Sequence, residues 1–152
     1  MNSERNKILT GVSGEYFVAG ELSRRGYLAS ITLRNTKGVD ILCSNASVSK
    51  SVGIQVKTKS GMSRNWILSE KCETYHANDL YYVFVNISER SDEAPKYTIV
   101  PSKVVADFIR KSHANWLKSP KKNGDPRQNS NMRKFQDLEE KYLNRWDLLG
   151  LD

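Results

Sequence analysis

The chain has 152 residues, 38% hydrophobic and 27% charged, enough to enclose one core and too apolar for a disordered chain. Its 24 Lys and Arg against 17 Asp and Glu leave a formal charge of +7; this suits polyanions, whose counterions are released on binding, and equally other anionic partners. Apolar runs such as Leu80 to Val85 fall far short of the roughly 20 residues that cross a bilayer, Met1 to Lys7 lacks the apolar segment of a secretory signal, and Cys43 and Cys72 have neither metal nor disulfide spacing, so no membrane role and a reduced, cytoplasmic setting are expected.

In chain order, Val12 to Arg25 reads as a helix. Ser13 is its expected cap, Phe17, Val18 and Leu22 its apolar face, and Gly26 its stop. Tyr27 to Leu33 reads as a strand, 35–38 as a turn, Val39 to Cys43 as a second strand, and Asn45 to Lys50 as a hairpin turn. Ser51 to Lys59 is a third strand. A loop over Ser60 to Asn65, a short strand at Trp66 to Leu68 and a short helical or irregular piece follow. Asp79 to Ile87 has the composition of a central strand buried on both faces. Lys96 to Val100 is another strand, and Pro101-Ser102 opens a helix to about Leu117. Ser119 to Met132 is a polar, basic loop. Phe135, Leu138, Tyr142 and Trp146 are spaced for a last helix over Arg133 to Trp146, and Leu148, Leu149 and Leu151 for a docked tail. No repeat or linker interrupts the chain, so 1–152 is expected to form one domain.

The segment Ile54-Gln55-Val56-Lys57 carries the chemistry. Alternation along a strand puts Ile54 and Val56 on one face and Gln55 and Lys57 on the other. A meander would bring Asp40 of the preceding strand beside Gln55, and Glu15 of the first helix is a second available carboxylate. Oxygen donors beside an ammonium are what phosphodiester hydrolysis requires. A hard cation takes carboxylates, waters and phosphate, and a lysine offsets developing negative charge.

The stretches Gly11-Val-Ser-Gly-Glu15, Lys37-Gly-Val-Asp40 and Ile54-Gln-Val-Lys57, with the order helix, three-strand meander, helix, strand, resemble the PD-(D/E)XK nuclease superfamily, in its Holliday junction resolvase-like and small bacterial endonuclease-like branch. The resemblance covers roughly the first hundred residues. It implies a restriction-endonuclease-like three-layer α/β fold, a central mixed sheet flanked by helices, here with a helical C-terminal extension. It further implies a metal-dependent endonuclease acting on DNA, in repair, recombination or defence, with Mg²⁺ or Mn²⁺ as cofactor and a homodimer as one arrangement. Asp40 would be the metal-binding aspartate, Lys57 the catalytic lysine and Glu15 the helix-one glutamate. Gln55 stands where the family usually has Asp or Glu and offers an oxygen without a charge.

Each of these residues has a plainer reading. Asp40 can cap a turn, Gln55 can bond across strands, Lys57 can belong to a solvated face with Lys59, and Glu15 can favour a helix start. The basic residues Lys59, Arg64, Lys121, Lys122 and Arg127 are candidate phosphate contacts, or a solvated surface. The alternative function is a catalytically inactive nuclease-fold module that binds DNA or a protein partner.

Overall fold

A computed structural model of the chain describes residues 3–33, 37–90 and 92–152, with side chains from residue 6 onward. In order, the elements are α1 (Ser3–Arg24), β1 (Leu28–Ile31), β2 (Ile41–Ser44), β3 (Ser51–Ser60), β4 (Asn65–Ser69), a 3₁₀ turn (Glu70–Glu73), β5 (Leu80–Ile87), β6 (Lys96–Pro101), α2 (Ser102–Lys118), β7 (Met132–Gln136) and a 3₁₀ turn (Trp146–Leu149). Five strands form one mixed sheet in the order β1-β2-β3-β5-β6. β1, β2 and β3 are an antiparallel meander, β3 pairs with β5 in parallel, and β6 is antiparallel to β5. β5 is an interior strand between β3 and β6, and Tyr82, Val83, Phe84 and Val85 are fully buried, as a strand covered on both faces requires.

Strict alternation sorts the side chains of this sheet into two cores. Val52, Ile54 and Val56 of β3 and Val83 and Val85 of β5 pack against Val18 and Leu22 of α1 and the tail residues Trp146, Leu149 and Leu151. Tyr82 and Phe84, pointing the other way, pack under Val105 and Ile109 of α2 and under a two-stranded β4–β7 ribbon through Trp66, Leu68 and Phe135. The expected mixed α/β sheet flanked by helices is therefore present, with the ribbon sharing one flank with α2. No helix among the described residues is long and apolar enough to cross a membrane.

Two sequence expectations change, and one falls partly outside the described residues. α1 begins at Ser3 rather than Val12. Ser13 is therefore mid-helix, and its hydroxyl donates to the Thr10 carbonyl (2.8 Å) instead of capping. The expected turn at 35–38 lies partly outside the described residues. The expected helical C-terminal extension over Arg133 to Trp146 is instead β7, a loop and a 3₁₀ turn. Arg133 and Phe135 alternate inward on β7, while Leu138, assigned to the helix face, is 69% exposed. Asp137 ends the strand by accepting the Lys141 and Tyr142 N–H groups (2.9 and 3.0 Å), and Glu140 and Asn144 have positive φ, which no helix tolerates in its interior. The tail docks as expected.

Candidate active site

β2 pairs with β3 only from Ser51 to Ile54. At that point the Asp40 N–H donates to the Ile54 carbonyl (2.8 Å), and the chain before it turns toward Thr32, whose N–H donates to the Asp40 carbonyl (2.9 Å). β3 runs on to Ser60 beside β5. Its edge from Gln55 onward therefore has no strand partner on the β2 side. The first N–H left over, that of Val56, is taken by the Asp40 carboxylate at Oδ2 (2.7 Å). Asp40 thus closes the seam where two strands part.

Ile41 and Ile54 are buried on the α1 face, so Asp40 and Gln55 lie on the opposite one, and Lys57 follows Gln55 two residues on. Same-face neighbours on a strand stand roughly 6.6 Å apart. Gln55 sits beside Tyr82 and Lys57 beside Phe84 in the β3–β5 register. The Gln55 Oε1 atom is buried with no hydrogen-bond partner. Such an acceptor costs about 1–3 kcal/mol unless a water, a donor or a cation meets it. Burial, aided by Cys72, pushes the Tyr82 phenol well up, so it stays neutral.

The strands bring Asp40, Gln55 and Lys57 to one face. Glu15 is placed differently, half-buried on a helix that packs against the other face. Its neighbour Gly14 explains how α1 reaches the sheet: a Cβ there would lie 1.8 Å from Thr58 Oγ1, so only glycine lets the helix backbone rest on β3.

Beyond the three residues, a cleft of about 530 Å³ opens between the end of β3, β4 and the early turns of α1. Lys7, Thr10, Lys57, Lys59, Asn65 and Ile67 are among its walls, and none of its lining residues is acidic. Lys7 and Thr10 precede Val12, where the sequence suggests the helix begins, and lie on its first turns in the structure. The signal was the run from Ser3 to Thr10, which holds no proline or glycine and carries a Ser at its start. Lys59 lines the cleft but also donates from Nζ to Asn65 O and Oδ1, both at 3.0 Å, bracing the β3–β4 connection.

Arg64 is not in the cleft wall. It donates to the Asp137 carbonyl (2.6 Å), Asp137 Oδ2 (2.9 Å) and Thr98 Oγ1 (3.2 Å), with its side chain 12% exposed. It ties β4 to the end of β7. Lys121 and Lys122 are exposed in the loop between α2 and β7. Arg127, in the same loop, donates to the Ser119 carbonyl (2.9 Å) and lies 4.8 Å over the Trp116 ring.

No protein-family model matches the chain, and no curated protein matches it. Among solved structures it is similar to Hjc, a Holliday junction resolvase from the archaeal hyperthermophile Archaeoglobus fulgidus. Identity is 15% and the TM-score 0.42, over 79% of this chain and 85% of that one.

The donor set can be tested against a hard divalent cation. Asp40 uses Oδ2 on the Val56 amide and keeps Oδ1, and the orphaned Gln55 Oε1 lies on the same face. Two oxygens, one of them charged, fit Mg²⁺ or Mn²⁺, which commonly take one or two carboxylates and fill the remaining positions with water and substrate phosphate. No group of three His, Cys, Asp or Glu gathers among the described residues. Softer, all-protein metal sites are not what this arrangement resembles.

Proposed function

We propose that the chain is a metal-dependent endonuclease-like protein that hydrolyses DNA phosphodiester bonds, with Asp40, Gln55 and Lys57 at its centre. One observation carries the reading. A carboxylate, a buried carboxamide oxygen without a partner and an ammonium share one sheet face where β2 and β3 part, beside a cleft with basic and no acidic walls. A phosphodiester strand is the ligand whose charge this cleft matches.

Asp40 and Gln55 would hold Mg²⁺ or Mn²⁺, which when bound polarises the scissile phosphate and acidifies a water. Lys57 sets its ammonium against the charge that develops on the phosphate oxygens. Lys59 and Lys7 position the flanking phosphates. Glu15 is proposed as a further carboxylate of the site. Lys121, Lys122 and Arg127 belong to the outer DNA contact, and Arg64 is left out because Asp137 holds it. The reading carries a cytoplasmic location and a homodimer, whose mass sedimentation would report.

The test is nicking of supercoiled plasmid, and cleavage of flapped and branched DNA, with Mg²⁺ or Mn²⁺. Wild type should cleave, and Asp40→Asn and Lys57→Ala should not. A wild type that neither binds Mn²⁺ nor cuts any substrate refutes catalysis and leaves a DNA-binding module with the same fold.

A further inference from the structure

A second groove, of about 310 Å³, lies between α2 and β7. Its walls include His113, Trp116, Met132 and Lys134. His113 and Trp116 are stacked, with centroids 5.4 Å apart and planes 22° from parallel. Of the three tryptophans, Trp66 and Trp146 are buried in the two cores, while Trp116 is 40% exposed. Its ring is held in place. Arg127, which does not line the groove, lies over it, and the Asn129 carboxamide oxygen accepts a hydrogen bond from His113 Nε2 (2.8 Å). An exposed, immobilised aromatic pair is a stacking platform that loses little freedom on binding.

The groove and the cleft at the end of β3 border the same β4–β7 ribbon. On the β4–β7 ribbon, Trp66, Leu68, Arg133 and Phe135 face the core, so Asn65, Ile67 and Ser69 share the outer face with Met132, Lys134 and Gln136. Ile67 is a wall of the first cleft, and its cross-strand partner Lys134 is a wall of the second. Paired strands lie about 4.8 Å apart, so a nucleic-acid strand that crosses the ribbon passes from Ile67 of the first cleft directly to Lys134 of the second. Charge favours that path. Residues 108–136 hold eight Lys and Arg against one Asp, an excess equal to that of the whole chain. Arg110 and Arg133 are paired with Asp107 and Glu73, while Lys111, Lys118, Lys121, Lys122 and Lys134 have no ion pair among the described residues.

We propose that this groove binds an unpaired nucleobase of the strand that enters the cleft, stacked on His113 and Trp116 with its phosphate on Lys134. The substrate is then DNA with a single-stranded flank next to the cleaved bond. A base inside a duplex is stacked on its neighbours and cannot meet a side-chain ring, and a groove of this size holds a base but not a double helix. The inference rests on the nuclease reading for the direction of the strand and extends it to the form of the DNA.

The experiment is fluorescence anisotropy in EDTA, so that nothing is cut, with labelled oligothymidylate, a blunt duplex and a duplex bearing a single-stranded flap. Melting curves confirm that the variants fold. Trp116→Ala should weaken binding of the single strand and the flap by at least about fivefold, the lower limit for loss of one base stack. Trp116→Phe should retain most of it, and blunt duplex binding should change by less than twofold. Lys134→Ala should lower the salt slope for the single strand by about one. Titration of wild type with oligothymidylate should quench tryptophan emission, and Trp116→Phe should remove the quench. Equal losses for duplex and single strand, or no loss in Trp116→Ala, overturn the proposal. If wild type cuts no DNA yet binds single strands through Trp116, the nuclease reading fails and the base groove stands. If wild type cuts and Trp116→Ala binds every probe normally, the reverse holds.

Discussion

Asp40 does two jobs, and two substitutions separate them. Asp40→Ala removes the acceptor of the Val56 N–H and the carboxylate together. Asp40→Asn keeps an oxygen that accepts from Val56 and removes only the charge. The Val56 residue is 8% exposed, so its orphaned N–H would find little water. An unsatisfied buried donor costs about 1–3 kcal/mol, and the 2.7 Å bond to a carboxylate places this one near the middle or above, about 2 kcal/mol. For a chain of this length each kcal/mol moves Tm by roughly 2–4 °C, so Asp40→Ala should melt about 4–8 °C below wild type. Asp40→Asn should lie within about 1 kcal/mol of wild type. Both should lose the rise in Tm that saturating Mn²⁺ produces in wild type through binding to the folded state. Thermal melts with and without Mn²⁺ read all of this. An Asp40→Ala protein as stable as wild type would show that the seam does not depend on Asp40. An Asp40→Asn protein that keeps the Mn²⁺ shift would remove Asp40 from the metal site.

Gln55→Glu should behave in opposite ways with and without metal. It should lose about 1–3 kcal/mol in EDTA, where a second buried carboxylate faces Asp40, and bind Mn²⁺ roughly tenfold tighter by calorimetry. Arg64→Met removes the cation beside the nearly buried Asp137 carboxylate, which keeps the Lys141 and Tyr142 amides, and should cost about 1.5–3 kcal/mol in urea unfolding, while DNA affinity per folded molecule stays within about twofold. A loss of DNA affinity without a loss of stability would return Arg64 to the interface. The hydrogen bond from Tyr27 to Asp152, with burial adding to it, pushes the Tyr27 phenol up to about 12. The folded value lies above the unfolded one of about 10, so this contribution is complete below pH 10 and is lost as pH rises toward 12. Urea midpoints from pH 9 to 12 should fall less steeply in Tyr27→Phe than in wild type.

The pattern of local residues was enough for the parts of the molecule that depend on it. Alternation in Ile54-Gln-Val-Lys assigns Gln55 and Lys57 to the face opposite Ile54 and Val56, and the structure has them there, because strand geometry imposes a period of two whatever the partner. Asn45 closes its hairpin turn with local bonds, its Oδ1 accepting from the Ser49 and Lys50 amides. β5 is legible for the same reason, since a run of apolar β-formers that long is stable only when covered on both faces. Partners distant in sequence leave no such local trace. β7 is a five-residue strand whose partner β4 lies more than sixty residues earlier, and the helical spacing of Phe135, Leu138, Tyr142 and Trp146 is accidental. Arg64 reads as a free basic residue until the fold sets Asp137, 73 positions away, against it. Lys7 joins Lys57 only because Gly14 lets α1 lie directly on Thr58. Local chemistry thus determined which residues can act, whereas packing between segments far apart in the chain decided which of them meet, because a long-range contact depends on both partners and neither segment alone encodes it.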